Sequence, residues 1–292
     1  MSITKVSTVS ADGVDVFYRH AGPASAPTIL LLHGFPSSSH QFRNLIPLLA
    51  TKYHVVAPDI PGYGFTVVPE ERQYKYTFAN FATTIGALVD ALAIKKFAVY
   101  IFDYGAPTGL RLALQRPEAV AAIISQNGNA YVEGFGKDFW APIEKYQASG
   151  KKEDRDALRP ALLSFEATKW QYTFGAKDPD SLQPEAWTLD QALMDRPGNQ
   201  DIQLDIFYDY ATNVKLYPDF QEFFRKYDVP VLTAWGKKDV IFVPPGAEAF
   251  KKDVKKLETK WLDAGHFAIE NNEELLAGWI GDFLVKFDVF KK

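Results

Sequence analysis

Hydrophobic and polar positions alternate near the start of the chain, then give way to short apolar runs. Val6 to Val9 and Val14 to Tyr18 are β-rich, and Ala11-Asp12-Gly13 between them is a turn signal, so the chain opens on a β-hairpin. Thr28–Leu32, Tyr53–Ala57, Phe97–Phe102 and Val120–Ser125 read as strands, the apolar runs among them as strands buried on both faces. Between them, Gln41–Leu49, Phe78–Leu92 and Gly105–Gln115 repeat apolar residues at helical spacing, the last stopped by Pro117. This alternation predicts an α/β protein, a mostly parallel sheet with helices on both faces. From about Ala130 to Tyr227 the strand signal lapses, and Trp140, Trp170 and Trp187 fall among short helix-like stretches. Val229–Trp235 and Lys256–Leu262 then resume the strand pattern, and Ile269–Phe287 reads as a closing helix. A sheet interrupted after its sixth strand and later completed predicts a core of residues 1–130 and 228–292, with a helical cap, 131–227, inserted into it.

Composition narrows the function. The 292 residues, 47% hydrophobic and 23% charged, suffice for a large buried interior and argue against disorder. A net charge of −4 and scattered lysine pairs argue against nucleic acid as a partner, because phosphate contacts need clustered Lys and Arg. No apolar run reaches the length of a membrane span, and the first twenty residues lack a signal-peptide core, so the expectation is a cytoplasmic protein. The absence of cysteine excludes disulfides and thiolate nucleophiles. His20, His33, His40, His54 and His266 show no metal-binding spacing, and no phosphate-binding glycine loop occurs. No metal and no cofactor are expected. The partners implied are a small-molecule substrate and water, with monomer and homodimer both open.

Ligands of open parallel sheets bind at the carboxyl ends of the strands, so reactive residues just after strands are the candidates. They are His33-Gly34-Phe35-Pro36, Asp103-Tyr104-Gly105, Asp239 beyond Trp235-Gly236, and His266 after Lys256–Leu262. Asp103 sits where a strand must turn sharply into a helix whose N-terminal N–H groups and positive dipole end favour an ionised carboxylate. An aspartate there can equally be a plain N-cap. Asp239 read alone is an ordinary turn aspartate, and His266 an ordinary loop histidine. The order nucleophile, acid, histidine lifts the three together.

With those residues in view, the chain resembles α/β-hydrolase-fold proteins of the epoxide hydrolase and haloalkane dehalogenase branch, over nearly its whole length. His33-Gly34-Phe35-Pro36 matches the oxyanion loop, Asp103-Tyr104-Gly105 the nucleophile elbow, Trp235-Gly236-Lys237-Lys238-Asp239 the acid segment and Gly265-His266-Phe267 the base segment. No Gly-x-Ser-x-Gly occurs, which disfavours a serine esterase. The resemblance implies that Asp103 attacks an electrophilic carbon and forms an ester, which water activated by His266 hydrolyses, with Asp239 orienting the imidazole. It also implies an oxyanion hole of the Phe35 and Tyr104 backbone N–H groups. Dehalogenases of this branch assist halide departure with indole N–H donors, one on the residue after the nucleophile, and some carry Asn after the His-Gly pair. Here those residues are Tyr104 and Phe35. Epoxide hydrolases use two cap tyrosines on the ring oxygen. Tyr131, Tyr146, Tyr172, Tyr208, Tyr210 and Tyr217 are available, and Tyr210 with Tyr146 is the expected pair. The tryptophans, with Phe135, Phe139, Phe165 and Phe174, are expected to form an apolar lid or to fill the cap's own interior. Epoxide hydrolysis is the leading expectation. Carbon–halogen hydrolysis comes second, and an ester or lactone hydrolase or a non-catalytic binder on the same scaffold comes third.

Overall fold

The computed structural model describes residues 3–291. Eight strands form one sheet in the order β1-β2-β4-β3-β5-β6-β7-β8. They are β1 (Lys5–Ala11), β2 (Val14–Ala21), β3 (Thr28–Leu32), β4 (His54–Pro58), β5 (Phe97–Phe102), β6 (Val120–Gln126), β7 (Val231–Gly236) and β8 (Leu257–Leu262). β2 runs antiparallel to β1 and to β4, and all other pairings are parallel. The hairpin turns through Asp12 and Gly13, both at positive φ, as a tight two-residue turn requires.

Side chains alternate across the central strands and fill two separate cores. Leu30, Leu32, Val99 and Ile101 point to one, Ile29, Leu31, Ala98 and Tyr100 to the other. The first core takes the apolar faces of α2 (Phe78–Ala91) and α3 (Gly105–Gln115). The second takes those of α1 (Leu45–Leu49) and α12 (Glu273–Lys286). This is why β3 and β5 read as continuous apolar runs: both faces are covered.

Between β6 and β7 come α4 (Lys137–Ser149), α5 (Lys152–Leu162), α6 (Phe165–Thr173), α7 (Glu185–Met194), α8 (Asn199–Asp209), α9 (Ala211–Val214) and α10 (Tyr217–Tyr227), with no strand among them. α11 (Pro245–Ala249) lies between β7 and β8. Among the described residues, no helix is long and apolar enough to cross a membrane.

Several boundaries differ from the sequence expectation for identifiable reasons. The helix expected over Gln41–Leu49 is a 3-10 turn at Ser39–Phe42 followed by α1, because Pro47 has no N–H to bond the Arg43 carbonyl and join them. β7 begins after Pro230, which cannot donate to a ladder. The closing helix starts at Glu273, because residues 267–272 form successive turns.

Candidate active site

β5 ends at Phe102, and the chain reverses into α3 through Asp103, whose φ of 46° is left-handed. The reversal is sharp enough that a Cβ on Gly105 would lie 2.2 Å from the Leu32 carbonyl oxygen. Gly34 is as confined: a Cβ there would stand 2.4 Å from the Asp103 Cβ and 2.7 Å from the Tyr104 nitrogen. Two glycines thus let the loop after β3 close onto the elbow after β5. The Phe35 N–H donates to Asp103 Oδ1 at 2.6 Å, and the Tyr104 nitrogen borders the same corner.

The other two candidates arrive from β7 and β8. Asp239 Oδ1 accepts the N–H groups of Ile241 and Phe242 at 2.8 and 3.1 Å, which closes its loop into a turn. The Trp235 indole N–H donates to the Phe242 carbonyl at 2.7 Å and ties that turn to β7. Asp239 Oδ2 meets His266 Nδ1 at 2.8 Å, and His266 Nε2 faces Asp103 Oδ2 at 3.7 Å, beyond hydrogen-bond range. All three side chains are buried. The structure therefore brings together Asp103, Asp239 and His266, three residues separated widely in the chain, with the Phe35 and Tyr104 backbone beside them.

Burial opposes a charge on His266, but the Asp239 and Asp103 carboxylates outweigh it and raise its pKa to about 9. His33 behaves in the opposite way. Its Nδ1–H donates to the Gly34 carbonyl and its Nε2 accepts from the Ile60 N–H at 2.9 Å, so both nitrogens are committed. Burial lowers its pKa to about 4, which makes it a neutral brace for the loop.

Asn127 escaped the sequence reading. It follows β6 at a φ of 49°, donates to Asp239 Oδ2 at 2.5 Å, and accepts from the Gly236 N–H at 3.2 Å. Gln126 continues the network, donating to the Asn127 side chain and to the His266 carbonyl. Their signal was position, directly after a strand at the same rim. A search for ionisable groups passes over an amide.

The two expected tyrosines lie in different surroundings. Tyr210, on the α8–α9 junction, is buried against Trp140 at 4.6 Å, Phe78 at 5.4 Å and Tyr104 at 5.7 Å between ring centroids. Burial raises its pKa far above the ordinary phenol value, and the neighbouring Tyr217 and Asp103 add to this. Tyr146, the expected partner, instead packs on Tyr208 at 5.0 Å, with Arg155 and Asp205 as charged neighbours. It stands six residues after Trp140 on α4, about a third of a turn round the helix and ~9 Å along it, so it leaves the face that Trp140 presents to Tyr210. Tyr217 takes that place, its hydroxyl 3.5 Å from that of Tyr210 and 3.4 Å from Asn129 Nδ2. The aromatic lid is also divided. Trp140 and Phe135 border Tyr210, whereas Phe165, Trp170 and Phe174 face outward and Trp187 packs on Tyr172 in the second core.

Among the described residues, no group of acidic and histidine side chains could hold a metal ion. Residues 27–273 match the family described as alpha/beta hydrolase fold. The chain belongs to that family. An uncharacterized hydrolase of Saccharomyces cerevisiae is 51% identical over 268 residues, covering 91% of this chain and 92% of its own. A haloalkane dehalogenase of Psychrobacter cryohalolentis is 25% identical, covering 92% and 87%. The crystal structure of an epoxide hydrolase of Vigna radiata superposes with a TM-score of 0.76 at 26% identity, covering 97% of this chain and 98% of that one. The protein is accordingly a hydrolase of the alpha/beta hydrolase fold family. Both relatives of named chemistry stand at similar distance, so the leaving group has to be argued from the site.

Proposed function

We propose that the protein hydrolyses epoxides to diols through an ester on Asp103, with residues 131–227 acting as the cap over the site. The observation that carries this reading is the buried hydroxyl pair of Tyr210 and Tyr217, of which Tyr210 lies within electrostatic reach of the Asp103 carboxylate. Asp103 Oδ2 attacks a ring carbon, the carbon–oxygen bond breaks, and Tyr210 gives its proton to the departing oxygen. Water then adds to the ester carbonyl while His266 takes its proton. The Phe35 and Tyr104 N–H groups hold the oxyanion, which collapses to release the diol and the carboxylate. Asp239 keeps the His266 Nε2 turned toward the ester and balances the imidazolium. The proton on His266 returns the tyrosinate to its neutral form.

Carbon–halogen hydrolysis is the second reading, and the indoles near the site argue against it. The Trp140 N–H is bonded to the Ile241 carbonyl at 2.9 Å and that of Trp235 to the Phe242 carbonyl, so neither is free for a halide. A paired assay tests the choice, with an alkyl epoxide and a bromoalkane of similar size. Diol formation without halide release is expected. Halide release at a comparable rate would overturn the epoxide assignment.

A further inference from the structure

Two buried phenols beside Asp103 remain outside the mechanism just given. Tyr63, in the Pro61-Gly62-Tyr63-Gly64 turn after β4, is 5% exposed, and Tyr104, next to the nucleophile, is 2% exposed. Neither hydroxyl has a hydrogen-bond partner among the described residues. A buried hydroxyl without a partner carries an uncompensated desolvation cost, so a native structure that keeps two of them together calls for an explanation.

Their location supplies one. Tyr63 packs edge-on against His33, the brace of the oxyanion loop, at 5.4 Å, and Tyr104 lies against Phe35 of that loop at 5.9 Å. The two phenols interact electrostatically with each other and each with the Asp103 carboxylate. Burial and that carboxylate both hold them in the protonated form, as donors, at any ordinary pH. Tyr210 and Tyr217 are already assigned to the ring oxygen, which leaves Tyr63 and Tyr104 as further donors around the nucleophile.

We propose that the Tyr63 and Tyr104 hydroxyls form a second donor site, which binds a neutral oxygen of the substrate (ether, carbonyl or hydroxyl) next to the carbon that Asp103 attacks. The inference rests on the epoxide reading and narrows it to oxygen-substituted epoxides. The charge of the site selects a neutral oxygen. A substrate carboxylate would face Asp103, while the half-buried guanidinium of Arg43 is committed to Glu270 at 2.8 Å and that of Arg111 to Thr212 and Asn213. A hydrocarbon epoxide would leave both hydroxyls unpaired in the complex.

The test compares butyl glycidyl ether with the isosteric hydrocarbon epoxyoctane, on the wild type and on Tyr63→Phe and Tyr104→Phe. The wild type is expected to favour the ether in kcat/KM by about tenfold, the upper range for neutral hydrogen bonds. Each substitution is expected to pull the ether-to-hydrocarbon ratio toward unity, mainly through KM. The ratio is taken within one preparation, so a variant that folds in poor yield still reports it. A wild type without preference, or variants that lower both substrates equally, would overturn the donor site and leave epoxide hydrolysis standing. No turnover of either epoxide would overturn both.

Discussion

His266 sits between two carboxylates, and its chemistry depends on how many of them are charged. With both ionised its pKa is about 9, so near neutral pH it is protonated in the resting site and cannot serve as a base. In the proposed mechanism, ester formation on Asp103 removes one of the two charges that raise it, and the imidazolium releases its proton to solvent before water is activated. The imidazole then becomes more acidic at the step that needs a base. In single-turnover measurements, ester formation is expected to stay nearly flat with pH through neutrality, while ester hydrolysis rises to a plateau with a midpoint below 9. A midpoint at or above 9 for hydrolysis would show that esterification does not retune His266. Asn127 donates to Asp239 from the other side, and in the proposed mechanism it is a positioning residue. Asn127→Ala removes a hydrogen bond to a buried charge and is expected to cost about 2 kcal/mol of stability, read by denaturant unfolding. It should also shift the pH profile of ester hydrolysis, which a purely structural role would leave in place. Asp103, Asp239 and His266 were legible in the sequence because each follows a strand. Asn127 obeys the same rule, but its role appears only once β6 and β7 are seen to be neighbours.

At the scale of elements, α6 and α7 are held to the core by one buried polar knot. The Tyr172 hydroxyl, on α6, lies 2.5 Å from Asp190 Oδ2 on α7 and 3.2 Å from Ser37 Oγ, two residues beyond Phe35. The Tyr172 ring stacks 3.8 Å from that of Phe267, the neighbour of His266. Burial raises the pKa of Asp190 to about 8, against the lowering effect of its hydrogen bonds to Tyr172 and Ser37. The folded protein therefore keeps a proton that the unfolded chain releases above its ordinary carboxylate pKa. Stability from this group is greatest in acid, falls as pH rises toward about 8, and is flat beyond. Asp190→Asn keeps an acceptor for Tyr172 and is expected to remove that part of the pH dependence, measured by unfolding midpoints from about pH 5 to pH 8, where the two pKa values diverge. An unchanged profile would mean that Asp190 is not the proton holder. None of this could be read from the chain, because Tyr172, Asp190 and Ser37 belong to no shared motif and meet only through the packing of α6 and α7 on the loop after β3. The elements themselves were more legible. Strands with both faces covered and helices with one apolar face have distinct periods, and the errors fell where Pro47 and Pro230 break the hydrogen-bond pattern and where residues 267–272 turn before α12.

For the molecule as a whole, the sheet order β4-β3-β5-β6-β7-β8 puts the carboxyl ends of β3, β5, β6, β7 and β8 along one rim, which is why residues 34, 103, 127, 239 and 266 converge. The helices between β6 and β7 add Trp140, Tyr210 and Tyr217 to the aromatic and phenolic groups that the core itself contributes there, Phe35, Tyr63 and Tyr104 among them. The core's contribution was visible as strand-end motifs. The insert's was not, since Tyr146 and Tyr217 look alike in sequence and only the direction of each helix separates them. All of the proposed chemistry depends on Asp103 becoming covalently attached to the substrate carbon. The most direct test is intact-protein and peptide mass spectrometry of His266→Gln after mixing with an alkyl epoxide. The account predicts a mass increase equal to one substrate molecule, located on the peptide that contains Asp103 and absent from Asp103→Asn. No adduct from an epoxide that the wild type turns over, or an adduct on any other residue, would contradict it.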